Sequence, residues 1–145
     1  MSETQKALEQ VVARVLKPLG FTKRAATWHR DGEALIAVLN LQKSQWSEDL
    51  YLNLSVYRKA LGDETRPPES RCHVRCRAAT IKGQQTPRDA AGLAALVDEV
   101  ARPWLDALST PQGVAAFLAS DRAGACLIDA RAREVLSAAN NSPSA

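Results

Sequence analysis

The residues ALIAVLNLQKSQWSEDLYLNLSVYR, positions 34–58, read as two strands around a polar break. The strand segments are Ala34–Lys43 and Leu50–Arg58, and the break is Ser44-Gln45-Trp46-Ser47-Glu48-Asp49. In the second segment Leu50, Leu52, Leu54 and Val56 alternate with Tyr51, Asn53, Ser55 and Tyr57. A period of two with one apolar side marks a strand with one buried face. The first segment repeats the pattern, with Leu35, Ala37, Leu39 and Leu41 at one parity and Asn40 and Gln42 at the other.

Upstream, Leu8, Val11, Val12, Val15, Leu16 and Leu19 follow helical spacing, with Glu9, Gln10 and Arg14 on the far side. Ser2 or Thr4 can cap that helix, and Pro18 and Gly20 end or kink it. Asp31-Gly32, between Ala25–Arg30 and the segment from Glu33 onward, is a type I′ hairpin signal. It predicts the pairs Arg30–Glu33, His29–Ala34, Trp28–Leu35 and Thr27–Ile36, which put Trp28 on the leucine face.

Downstream, Leu61–Arg71 holds prolines, mixed charges and no periodicity, and reads as a loop. Cys72–Ala78 alternates again and reads as a fourth strand, with Cys72, Val74 and Cys76 inward and His73, Arg75 and Arg77 outward. Thr86-Pro87-Arg88-Asp89 reads as a helix start. The helix continues through Leu93, Leu96, Val97, Val100, Trp104 and Leu108, with a kink or break expected near Ala101 because of Pro103. Ser109-Thr110-Pro111 opens a short helix, Asp121–Gly124 interrupts it, and a last helix carries Leu127, Ile128, Val135 and Leu136. The expected architecture is α+β: an N-terminal helix, a four-stranded antiparallel meander, then three to four helices packed on the sheet.

The chain has 145 residues, 46% apolar and 24% charged, which suits one domain with a real core. The expected limits are residues 1–139, with 140–145 as a disordered tail. A net charge of +3 is too small for a nucleic-acid footprint unless it is focused on one face. No apolar run reaches membrane-spanning length and the N-terminus is polar, so a soluble, cytoplasmic protein is expected.

An odd count of three cysteines, Cys72, Cys76 and Cys126, fits buried thiols better than a disulfide framework. On a strand, Cys72 and Cys76 would lie about 13 Å apart at ~3.3 Å per residue, too far to share one zinc. No cofactor or metal is implied.

The pieces Leu16-Lys17-Pro18-Leu19-Gly20-Phe21, Trp28, Leu39-Asn40-Leu41-Gln42-Lys43-Ser44-Gln45-Trp46 and Leu50-Tyr51-Leu52-Asn53-Leu54 resemble the bacterial family catalogued as domain of unknown function 4304. Cys72-His73-Val74-Arg75-Cys76-Arg77 is similar to a later strand of that family. The resemblance implies a compact α+β domain and supplies no catalytic residues. Some relatives look like immunity proteins or neighbours of toxins, which implies a toxin-sequestering role as one form of a binding function.

The strand parity places Thr27, His29, Asn40, Gln42, Tyr51, Asn53, Ser55 and Tyr57 on the face away from Trp28, with His73, Arg75 and Arg77 added by the fourth strand. A merely solvated face is the commoner reading for an antiparallel sheet. Against it, Asn and Gln are poor strand formers, and amide, tyrosine and arginine together suit protein recognition. The candidate binding residues are Asn40, Gln42, Trp46, Tyr51, Asn53, Tyr57, His73, Arg75 and Arg77. Trp46 is either a cap over the core edge or an exposed anchor, and tryptophans are more often tucked in.

No nucleophile motif, phosphate loop or paired carboxylate appears, so no enzyme is expected. The expected function is a non-enzymatic protein-binding domain with a protein partner, sequestration of an acidic toxin domain being one form of it. The alternative is a small-molecule or nucleic-acid binder using the same face, although two tyrosines without an RNP-like run make nucleic acid a poor candidate. An unrecognised enzyme ranks behind both.

Overall fold

Residues 5–138 are described by a computed structural model. The caps expected at Ser2 or Thr4 and the tail at 140–145 lie outside them. Leu8, Val11, Val12 and Leu16 bury one side of helix α1, Gln5–Leu16. A 3-10 turn, Lys17–Leu19, follows, and Gly20 stops it in the left-handed region at φ 92°.

The chain then forms β1, Thr22–Arg24; β2, Thr27–Asp31; β3, Leu35–Lys43; β4, Leu50–Arg58; and β5, Val74–Arg77. Helix α2, Ala78–Lys82, leaves β5 directly. Helix α3, Ala90–Leu96, runs through a π-helical turn, Val97–Ala101, into α4, Arg102–Ala107. Helix α5, Pro111–Leu118, a 3-10 turn at Asp121–Ala125, strand β6, Leu127–Ile128, and helix α6, Ala130–Ala138, complete the order.

The sheet is an antiparallel meander of six strands in chain order, not four. The two additional strands are its edges. β1 is three exposed residues, and β6 is the Leu127-Ile128 pair that helical spacing assigned to the last helix. Neither is long enough to show a period.

The β3–β4 hairpin pairs Leu39 with Leu54 and Leu41 with Leu52, as the alternation requires. The β2–β3 hairpin departs from the expected register, for Trp28 faces Leu39 and not Leu35. Gly32 is not left-handed, so no type I′ turn forms at Asp31-Gly32; instead Gly32 donates to the Leu35 carbonyl across a wider turn. The slip is an even number of residues, so every side chain keeps its face and Trp28 still enters the core.

One sheet face carries the main core. Trp28, Leu39, Leu41, Leu52, Leu54, Val74 and Cys76 pack with Leu8, Val12 and Leu16 of α1, Leu93 and Leu96 of α3, and Trp104 and Leu105 of α4. Pro103 has no N–H for the preceding turn, and the helix accommodates it by widening to the π turn rather than breaking. The α3 start lies three residues beyond Thr86: Asp89 is the cap, accepting from Gly92 N–H at 2.9 Å. Thr110 caps α5 as its sequence predicts, accepting from Gly113 N–H at 3.0 Å.

Candidate functional site

The second sheet face is divided. Over its β2–β4 centre lies the connection from Lys59 to His73, which contains 3-10 turns at Lys59–Leu61 and Glu69–Arg71. Beneath it Ile36, Val38, Tyr57 and Cys72 make a small second core. Cys72 precedes β5 and packs on this side, opposite to Cys76, so the expectation that both cysteines face one core is corrected. Burial pushes the Cys72 thiol up to about 12.

The same cover removes two candidate residues from the surface. Tyr57 is buried, takes a hydrogen bond from Glu64 N–H at 3.3 Å, and stands 4.6 Å from the His73 ring. His73 is buried too, and its Nδ1 accepts from Arg58 N–H at 2.9 Å. His29 donates from Nε2 to the Pro67 carbonyl at 2.7 Å, holding the connection on the sheet. Burial keeps both imidazole pKa values below the ordinary one, and the bonds to the Pro67 carbonyl and the Arg58 N–H give both rings a structural role. The face is not one continuous solvated surface. Sequence periodicity assigns a side to each residue, but the cover comes from a segment with no periodicity at all.

At the other end of the strands the face is open. Asn40 donates to Thr27 Oγ1 at 3.0 Å and to the Ala26 carbonyl at 3.3 Å. Asn53, itself buried, donates to Asn40 Oδ1 at 3.0 Å and Gln42 Oε1 at 2.9 Å. The amides that are poor strand formers are thus tied across β2, β3 and β4. Beside them Arg77 lies over the Tyr51 ring, 4.0 Å from guanidinium carbon to centroid. No carboxylate among the described residues pairs with Arg77.

Arg75 behaves differently. It forks onto Glu69, with Nε at 2.9 Å and Nη2 at 3.3 Å from the two carboxylate oxygens. That pairing raises the Arg75 pKa and anchors the covering connection to β5.

Two clefts flank Arg77. One, about 340 Å³, is bounded by Gln42, Asn53, Glu69, Arg75, Cys76 and Leu127 among others. The second, about 230 Å³, lies between Asp49, Leu50 and Tyr51 on one side and Thr80, Gln85 and Thr86 on the other. Arg77 and Thr80 line both. Of the candidate residues, Gln42, Tyr51, Asn53, Arg75 and Arg77 come together here, Asn40 supports them from the ladder, and Tyr57 and His73 do not take part.

Trp46 stands at the tip of the β3–β4 hairpin with 93% of its surface exposed, so it is no cap over the core. Ser44 and Ser47 hold the tip by accepting from Trp46 N–H and Asp49 N–H at 3.1 and 3.2 Å. Glu69, Thr80 and Leu127 were not legible as site residues. Glu69 sits in an aperiodic loop, Thr80 in a helix of one turn, and Leu127 in a strand of two residues.

These features define an α+β domain with helices on one side of a six-stranded antiparallel meander and a half-covered polar face on the other. The chain matches the family described as a domain of unknown function (DUF4304) over residues 12–107, and it belongs to that family. The match ends at the last residue of α4, before α5, β6 and α6. No curated protein and no solved structure matches the chain. Among the described residues no helix is long and apolar enough to cross a membrane, and no group of three metal-ligating side chains occurs.

Proposed function

We propose that this protein is a non-enzymatic binding domain that takes an acidic protein partner on the open end of the polar sheet face. The observation that carries the reading is Trp46, 93% exposed where the other two tryptophans, Trp28 and Trp104, are at 1% and 2%. A fully exposed indole on a self-braced hairpin is an anchor without a pocket, and Trp, Tyr and Arg are the residues that dominate interface energetics. Tyr51 and Arg77 supply the other two types on the same hairpin and its neighbour strand. Arg77 meets no acid within the described fold, which supports a carboxylate-bearing partner. A toxin domain held by an immunity-type protein fits that description. The free thiols of Cys72, Cys76 and Cys126 suit a reducing compartment, and with it a cytoplasmic location.

The test is a photo-crosslinking residue placed at position 46, capture of the bound protein in the native cells, and titration of that protein against variants. Trp46→Ala and Arg77→Glu are each expected to weaken binding at least tenfold with the melting curve unchanged, about 1.4 kcal/mol. Equal affinity in both variants would return the face to ordinary solvated sheet.

The clefts on either side of Arg77 favour a second reading, a small anionic ligand held by the guanidinium with Thr80 and the Gln42 amide. Calorimetry showing such a ligand lost in Arg77→Glu but retained in Trp46→Ala would select it.

A further inference from the structure

In the β5–β6 ladder Val74 faces Ile128 and Arg75 faces Leu127. The next position along the same register sets Cys76 opposite Cys126. Asp129 N–H donates to the His73 carbonyl at 2.9 Å, so the His73–Asp129 position of this ladder is hydrogen-bonded. Bonded and non-bonded positions alternate in an antiparallel ladder, which makes Cys76 and Cys126 a non-bonded pair. Consistently, Cys126 N–H turns away to the Ala123 carbonyl at 3.1 Å. At such positions opposite Cα atoms approach to about 4.5 Å, within the ~4.4–6.8 Å that a disulfide spans. The Cys76 S–H donates to the Ala125 carbonyl at 3.8 Å, which brings its sulfur against the residue before Cys126. Interaction between the two thiols holds Cys76 below and Cys126 above the ordinary thiol value.

We propose that Cys76 and Cys126 are a reversible dithiol–disulfide pair, closed by a low-molecular-weight disulfide. The Cys76 thiolate attacks one sulfur of the small disulfide, forming a mixed disulfide and releasing one thiolate. Cys126 then loses its proton and attacks the Cys76 sulfur, expelling the second small thiol. Two protein thiols and one small disulfide become one protein disulfide and two small thiols; two electrons pass to the oxidant and the two protons leave with its thiols. Cys72, on the opposite sheet face, stays reduced. Ala125 and Leu127 flank Cys126 and line the cleft beside Arg75, so closure fixes that cleft wall to β5. The pair does not depend on which partner the open face takes.

The test uses the full chain with oxidised glutathione, followed by alkylation of the remaining thiols and peptide mass mapping. The expected result is loss of two of the three thiols, one intramolecular Cys76–Cys126 link, an alkylated Cys72, and full reversal by dithiothreitol. Cys72→Ala still closes, and Cys126→Ser, a change at a half-buried position, stops at a glutathione adduct or keeps its thiols. Three free thiols after treatment that oxidises a reference dithiol protein would overturn the proposal. So would a link through Cys72, mixed disulfides that never resolve in the unaltered chain, or links only between molecules.

Discussion

Arg77 and Tyr51 sit diagonally across neighbouring strands, with the guanidinium 4.0 Å above the ring, while Arg75, two residues earlier on the same strand, is bound to Glu69. Two arginines that look equivalent in the alternation therefore have different tasks. Arg77 is held over the ring and remains exposed, as cation–π pairs allow. Arg75 is an internal strut between β5 and the covering connection.

Arg75→Glu and Arg77→Glu are accordingly expected to separate. Arg75→Glu sets a carboxylate against Glu69, whose side chain is 15% exposed, and should cost about 1–3 kcal/mol of stability with loosening of residues 59–73. Arg77→Glu should stay within about 0.5 kcal/mol, as at an ordinary surface site. Urea denaturation of the two variants, with hydrogen exchange over the connection, checks both. Equal losses would mean that Arg77 is also structural.

Leu52 is fully buried between the sheet and the helices, opposite Leu41. Leu52→Ala should cost ~2–5 kcal/mol, the range for a core truncation that leaves a cavity. A loss under about 0.5 kcal/mol in chemical denaturation would place Leu52 outside the core.

Gly113 lies where a Cβ would run into the Ala107 carbonyl oxygen, because α5 starts close against the end of α4. Gly113→Ala should therefore destabilise by about 1–3 kcal/mol, although alanine is the better helix former. A more stable Gly113→Ala protein by thermal melting would show that the α4–α5 junction opens without cost.

The two histidines make stability depend on pH. Their folded pKa values are lowered by burial, so below about 6.5 the unfolded chain binds protons that the fold refuses. Stability is then at its full value above 6.5 and falls as the pH drops from there toward the folded values. Urea midpoints measured from neutral to mildly acidic pH should show this decline, flattened in His29→Gln, whose amide can still donate to Pro67. An unchanged slope in His29→Gln would assign the decline elsewhere.

The local alternation of Leu50–Tyr57 and Leu35–Leu41 was enough to specify strands, faces and the buried side, because side-chain direction in a strand depends only on parity. The same logic made Trp28 a core residue even with the wrong hairpin partner, since an even slip preserves the face. Helical spacing and the Thr110-Pro111 start likewise needed only neighbours in the chain. Tertiary structure decided what periodicity cannot carry. The closure of Lys59–His73 over Ile36, Val38 and Tyr57 turned half of a polar face into a second core, burying His73 and leaving Arg77 open. The recruitment of Leu127-Ile128 as an edge strand brought Cys126 to Cys76 from a distant part of the chain. Both depend on contacts between segments far apart in sequence, where loop closure is favourable only once the rest of the fold is present.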